Sequence, residues 1–203
     1  MKKIAIVGCE GKMGSLISIE LQKEYSLCGV NKSNRLEDFC DLDLVVDFAS
    51  HESSVKSAEY CLKNNIPCII GSTGQTQEEN ERIDEISKHI KIIKKANFSK
   101  GVEILKRFIE SVLMLKPDRF EIFEKHHKNK KDSPSGTALE LEKYIRKKFD
   151  GEIKISAIRE GEEMGEHKVV VIIGDEKLMI THNVYSRNAF VRGVVDEIKT
   201  LLN

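Results

Sequence analysis

The sequence predicts an α/β protein in two parts: an N-terminal parallel sheet covered by helices, then an α+β unit built on a mostly antiparallel sheet. Three observations carry this expectation. Short β-branched runs alternate with helix-period segments up to residue 97, strand-like runs then follow one another with few helices between them, and a glycine-rich turn joins the first strand to the first helix.

"KIAIV", residues 3–7, is an apolar, β-branched run ending in glycine, and "SLISIELQKEY" behind it sets Ile17, Leu21 and Tyr25 at helical spacing. "SLCGVN", "DLVVDFA", "IPCIIGST" and "IKIIKKAN" supply four more strands, with helices expected over 53–64 and 78–90. Strands and helices alternating at this spacing argue for a parallel sheet with both faces covered. Past Asn97, "GVEILKRFIESVLML" is a long amphipathic helix, and "ALELEKYIRKKF" is another. "DRFEIFEKH", "IKISAIRE", "EHKVVVIIGD" and "EKLMITHNVY" read as strands. "SRNAFVRGVVDEIKTLLN" closes the chain as a helix with Phe190, Val194 and Ile198 on one face. The expected domains are 1–98 and 99–187, with the terminal helix 188–203 returning to the first.

Composition removes several classes of function. Lysine plus arginine and aspartate plus glutamate both number 33 in 203 residues, so no global field recommends nucleic acid or an anionic membrane as partner. The five cysteines, Cys9, Cys28, Cys40, Cys61 and Cys68, have no C-x-x-C spacing, which suits reduced thiols rather than a metal or disulfide framework. The apolar run before Gly8 is too short for a signal peptide, and no stretch approaches the ~18 apolar residues of a spanning helix. A cytoplasmic protein is expected.

In "VGCEGKMG", Gly8, Gly11 and Gly14 stand where the first strand hands over to the first helix. Glycines there permit a tight turn and close backbone approach, and the helix N-terminus can hold a pyrophosphate. A plain glycine-rich βα turn reads the same way, but the strand-before, helix-after context favours a Rossmann-type dinucleotide-binding domain. The second strand ends in "GVNKSN", so Asn31 and Lys32 stand where such folds usually carry an acid for the ribose hydroxyls. A lysine there can meet a 2′-phosphate, so NADPH is expected to be accepted, with NADH still open. "GSTG" (71–74) and "ANFS" (96–99) follow the fourth and fifth strands. Each is equally a structural turn or, for Ser99, a helix cap; together they outline a nicotinamide pocket.

"EKHHKNKKDSPSGTA", residues 124–138, concentrates positive charge. On charge alone it is a solvated basic loop. Adjacent histidines point to opposite sides of a strand, and no cysteine or carboxylate is spaced to join them, which argues against a metal. A substrate with carboxylates gives another reading, because Ser135, Gly136 and Thr137 would open the next helix, where backbone N–H groups favour anions. A histidine or lysine beside it can deliver the proton that accompanies hydride in a reduction.

This stretch closely resembles the H-H-x-x-K-x-D-x-P-S-G-T-A signature of the 4-hydroxy-tetrahydrodipicolinate (dihydrodipicolinate) reductase family of diaminopimelate and lysine biosynthesis. "VGCEGKMG", "VVDFA", "GSTG", "ANFSKGV" and the segment from Arg159 to Gly193 resemble that family's other landmarks in order, over essentially the whole chain. The resemblance implies reduction of a cyclic, unsaturated dicarboxylate by NADPH or NADH in a homotetramer. His126 would be an acid/base, Lys130 the proton donor, and His127, Ser135, Gly136 and Thr137 would bind substrate. Gly8, Cys9, Glu10, Gly11, Lys12, Met13, Lys32, Gly71, Ser72, Thr73, Lys95, Ala96, Asn97 and Phe98 fall where the family contacts the cofactor. Arg187 matches a family arginine, as anchor or ligand contact. His167 and His182 also match, and read more simply as hydrogen-bonded interior or interface histidines; His51 and His89 read as surface positions.

The chain departs from the family in a short link between its second and third strands, in Glu10 inside the glycine turn, and in Asn31. Glu10 must turn its carboxylate away from a pyrophosphate. The apolar strand faces after residue 150 also favour self-association. Two other functions stay open: a related two-domain oxidoreductase acting on another amino-acid intermediate, and a non-catalytic dinucleotide sensor for which His126 and Lys130 would be dispensable.

Overall fold

A computed structural model describes residues 1–162 and 164–202; Asn203, the last residue of the expected terminal helix, lies outside them. The chain divides into two compact units, one of residues 1–98 together with the stretch from Val191 onward, the other of residues 99–190.

In the first unit, β1 (Lys3–Val7), β2 (Ser26–Val30), β3 (Leu44–Asp47), β4 (Cys68–Ile70) and β5 (Ile92–Lys94) form one parallel sheet in the order β2-β1-β3-β4-β5. Alternation along each strand sends apolar side chains to both faces. Ala5, Val45 and Cys68 pack with Ala58 and Cys61 of α2 (His51–Asn64) and Ile83 and Ile86 of α3 (Gln77–Ile86). On the other face Ile4, Ile6, Leu44 and Ile69 pack with Ile17 and Leu21 of α1 (Gly14–Leu21) and Val191, Val194 and Ile198 of α6 (Asn188–Leu202). Gly193 of α6 lies against Phe98, whose carbonyl oxygen leaves no room for a side chain there.

Two helix limits differ from the sequence reading. α2 starts at His51 because the Ser50 hydroxyl accepts from Ser53 N–H, and α3 stops at Ile86, with Ile90 reaching the core from a turn instead. The strand order reverses between β1 and β3, which opens a crevice at their carboxyl ends.

The second unit holds a four-stranded sheet in the order β7-β6-β8-β9, from β6 (Arg119–His126), β7 (Glu152–Arg159), β8 (Gly165–Ile173) and β9 (Glu176–Val184). The expected antiparallel character holds for β6 with β8 and β8 with β9, but β6 and β7 are parallel, so the sheet is mixed. The reason is α5 (Gly136–Arg146), whose length carries the chain back to start β7 in the direction of β6. α4 (Lys100–Leu113) and α5 cover one face, where Leu105, Ile109, Leu141 and Ile145 meet Phe120, Ile122, Val169 and Val171. Strand alternation turns Phe123, Val170, Ile172 and Met179 to the other face, where Lys168 Nζ sits 4.8 Å from the centre of the Phe123 ring. No helix among the described residues is long and apolar enough to cross a membrane.

Candidate active site

The period of two that buries Phe120 and Ile122 continues along β6 and buries Glu124 and His126 beside them. A carboxylate in that position must be paired, and Glu124, with a side chain 0 % exposed, is fully engaged. Arg159 at the end of β7 donates to it twice, Nη1 to Oε2 at 2.9 Å and Nη2 to Oε1 at 2.6 Å. Ser135 N–H donates to Oε1 at 3.0 Å, and His126 Nδ1 contacts Oε2. Burial pushes the Glu124 carboxyl up, but its bonds from Arg159, His126 and Ser135 outweigh that and hold it below the usual carboxylate range. For His126 the balance reverses. Burial, the largest influence, pulls the imidazole down while Glu124 lifts it, and with the Lys130 and Arg159 charges added to burial the ring ends below the ordinary histidine range, mostly neutral at pH 7.

Strand register sets Glu124 opposite His167 of β8, and His167 opposite His182 of β9. The His126 ring meets His167 edge-on at 5.1 Å, and His167 stacks on His182 at 6.3 Å. Each of the latter two reaches the capping serine of a covering helix. Ser135 Oγ of α5 lies 3.2 Å from His167 Nε2, and Ser99 Oγ of α4 lies 3.0 Å from His182 Nε2. Gly165 leaves room for His126, and Gly101 for the His182 ring. These two histidines thus tie helix N-termini to the sheet, as the interior reading of them expects.

Beyond His126 the chain turns, with Lys130 N–H donating to the His127 carbonyl at 3.1 Å. Lys130 Nζ pairs with Asp132 at 2.7 Å, beside the start of α5. Burial would raise the Asp132 carboxyl, but Lys130 and the Gly136 N–H hold it low. The protein's own carboxylate therefore rests between the lysine and the helix end expected to receive a substrate carboxylate. Ser135 is placed differently from a ligand contact: it is buried, with its N–H on Glu124 and its hydroxyl between His167 and Ala138 N–H. Thr137 is also buried, while Gly136 and His127 are half-buried. The remaining lysines are neutralised in part, Lys125 by Glu160 at 2.9 Å.

In the first unit a cleft of about 1840 Å³ opens at the reversal point, and Gly8, Glu10, Gly11, Asn31, Lys32 and Arg35 are among its lining. Its glycine end fits a dinucleotide. Gly8 has φ +80°, a Cβ there or on Gly11 would come within 3.0–3.1 Å of neighbouring atoms, and one on Gly14 would strike the Gly8 carbonyl. α1 has neither a capping side chain nor an acid in its first turn to compete with a pyrophosphate. The Glu10 carboxylate is drawn to Asn31, whose Nδ2 donates to it at 2.7 Å.

Cys9 Sγ faces Gly29, and Met13 packs on the core. Phe98 is buried against Phe48, ring centres 5.6 Å apart, and Asn97 is buried. Lys95 pairs with Glu197 at 2.7 Å, Ser72 accepts from Gln75, and Gly71 packs on Phe48; Lys12, Thr73 and Ala96 are exposed. Arg187 precedes α6, its carbonyl accepting from Phe190 N–H at 2.9 Å. Missed altogether were Glu124 and Arg159. An acid on the apolar face of β6 was a readable signal, whereas Arg159 depends on a register the sequence does not spell out.

A reversing parallel sheet with a glycine cradle, joined to a unit carrying a buried acid–base pair, defines a two-domain dinucleotide-dependent oxidoreductase. Family models for the N-terminus and the C-terminus of dihydrodipicolinate reductase match residues 2–98 and 101–203. The chain belongs to that family. It is 34 % identical over 235 aligned positions to the 4-hydroxy-tetrahydrodipicolinate reductase of Caldanaerobacter subterraneus subsp. tengcongensis, covering 100 % of this chain and 93 % of the relative. The enzyme of that name from Wigglesworthia glossinidia brevipalpis is 38 % identical, covering 95 % and 85 %. A dipicolinate-bound dihydrodipicolinate reductase from Paenisporosarcina sp. shares the fold with a TM-score of 0.78 at 20 % identity, covering 100 % and 95 %.

Proposed function

We propose that this chain reduces 4-hydroxy-tetrahydrodipicolinate to tetrahydrodipicolinate with NADPH or NADH, in the cytoplasmic synthesis of diaminopimelate and lysine. Hydride, a proton and loss of water balance the reaction, and the bound nicotinamide supplies the hydride. The observation that carries the reading is the meeting of His126, Lys130 and the N-terminus of α5 at the end of β6.

Within that site the Gly136 and Thr137 end of α5 receives a substrate carboxylate, in the place the Asp132 carboxylate now borders. Lys130 carries the proton as an ammonium. His126, neutral, accepts a hydrogen bond or a proton through Nε2 and orients the substrate, and His127 lies beside it. In the first unit Gly8, Glu10, Gly11 and Lys32 border the dinucleotide, with the backbone around Cys9, Lys12 and Met13 completing the turn. The test follows loss of reduced-nicotinamide absorbance with enzymatically generated substrate; no turnover with either cofactor near neutral pH would overturn the reading.

The same reading makes the protein a homotetramer. Phe123, Val170, Ile172 and Met179 form a mixed apolar and charged face on the side of the second sheet opposite α4 and α5, and a second copy of the sheet is its natural cover.

A further inference from the structure

We infer that Glu124, clamped by Arg159, is the residue that positions His126, fixing both the tautomer and the orientation of its ring. The inference rests on the reading of this site as the reductase's. Glu124 is surrounded by donors: the Arg159 fork, Ser135 N–H and His126 Nδ1. An ionised carboxylate has no hydrogen to give, so the proton shared with His126 belongs to Nδ1. Nε2 is then the unprotonated nitrogen of the ring. It lies over Gly165, where a Cβ would come within 2.8 Å of it, so only glycine at that position admits the ring in this orientation.

The charges around the ring point the same way. Glu124 faces it from its own strand, Lys130 from the following loop, Arg159 from β7 and His167 from β8. Among these described groups only Glu124 is an anion, so it is the one that selects the Nδ1–H form and meets an imidazolium formed during turnover with a counter-charge. Arg159 acts one step back. Its two bonds leave the carboxylate a single orientation, and its further bonds to the carbonyls of Asp132, 2.6 Å, and Ile158, 2.7 Å, hold the guanidinium itself in place. A lysine could supply the charge but not the fork.

Imidazole nitrogen NMR of the wild-type protein is the primary test. His126 should show protonated Nδ1 at neutral pH, and a spectrum with protonated Nε2 would overturn the proposal without any variant being made. Glu124→Gln should lower kcat roughly 10- to 100-fold, with substrate KM changed by less than about threefold. Its kcat/KM profile should also move the His126 limb to lower pH, because the anion favouring the imidazolium is gone. Glu124→Asp should restore part of that shift, and Arg159→Lys should reproduce a smaller kcat loss. A Glu124→Gln enzyme with the wild-type tautomer and limb would refute the role. Absence of turnover in the wild type would instead strike the reductase reading and leave the tautomer result standing, so the two failures are distinct.

Discussion

The hydroxyl of Ser135, which caps α5, lies 3.2 Å from Nε2 of His167 in the interior of the second unit. His167 is 2 % exposed, and burial, with the charges of His126 and His182 beside it, pushes its pKa down to about 3. In the unfolded chain a histidine titrates near 6.5. Between those values the unfolded state binds a proton that the folded state refuses, so stability is full above pH 6.5 and declines as pH falls toward 3. The slope from this one group is about 1.4 kcal/mol per pH unit. His126 and His182, also lowered by burial, act in the same direction. Urea midpoints measured from pH 7 to 5, before carboxylates titrate, should fall in the wild type and fall less in His167→Gln. Equal slopes would mean that His167 accepts a proton in the folded protein.

Lys130 and His126 are expected to serve chemistry rather than cofactor affinity. Lys130→Ala removes the ammonium paired with Asp132, and His126→Ala removes the ring held by Glu124. Each should lower kcat by roughly 100- to 10,000-fold, with Lys130→Ala the more severe because His126 is neutral at rest. Fluorescence titration with reduced nicotinamide cofactor should give Kd values close to wild type in both. A loss confined to cofactor Kd would remove both residues from the proton path.

Cofactor preference turns on two side chains of the cleft. Asn31 holds the Glu10 carboxylate at 2.7 Å, which keeps it engaged at the end of β2, where Lys32 is exposed and Arg35 is a second exposed cation of the lining. A charge-assisted contact to a 2′-phosphate contributes about 1.5–3 kcal/mol, so Lys32→Ala should raise KM for NADPH by roughly tenfold or more while changing KM for NADH little. Equal effects on the two cofactors would place the 2′-phosphate elsewhere.

Much of the fold could be read from local pattern, because local pattern is what makes it. β1 to β5 alternate and carry the apolar residues that two helical layers need, and Ser50, Thr76, Ser99 and Ser135 cap helices from positions visible in the sequence. What could not be read depends on distant partners. The parallel pairing of β6 with β7 brings Arg159 beside His126, and only that pairing shows why Glu124 can be buried as an anion. The same applies to Ser135. Its place in the signature suggests a hydroxyl for substrate, but the buried environment between Glu124 and His167 has already used its polar groups. Phe98, close in sequence to a strand end, is packed under Gly193 of α6, a contact between distant segments that local pattern does not show.

The uncovered side of the second sheet should respond to charge. Met179 is 56 % exposed, while Val170 across from it is already buried within the chain, so Met179 is an apolar side chain left for a second copy to cover. Met179→Glu would place a carboxylate in a face expected to meet another copy, at a penalty of several kcal/mol if the face is buried there. Light scattering should show a tetramer for the wild type and a shift to smaller species for the variant. A wild type that is monomeric at working concentration would refute the assembly.

Gly14 offers the sharpest test of the glycine cradle. It is the first residue of α1, it is buried, and a Cβ on it would strike the carbonyl oxygen of Gly8 and come within 2.9 Å of Cys9 Cα. Both obstacles are backbone, so they cannot swing aside as a flexible side chain would. Gly14→Ala therefore has to push α1 away from the turn between β1 and itself, with an overpacking cost of about 1–3 kcal/mol. The turn is held by Gly11 N–H donating to the Gly8 carbonyl at 2.9 Å, and the displaced oxygen is the acceptor of that bond. Distortion should thus reach the backbone that faces a pyrophosphate. The expected result is a rise in Kd for NADH and NADPH alike, by roughly tenfold for each 1.4 kcal/mol of binding lost, with a lower denaturant midpoint and kcat at saturating cofactor nearly preserved. Unchanged cofactor Kd alongside lowered stability would show that the turn packs the helix without holding the dinucleotide.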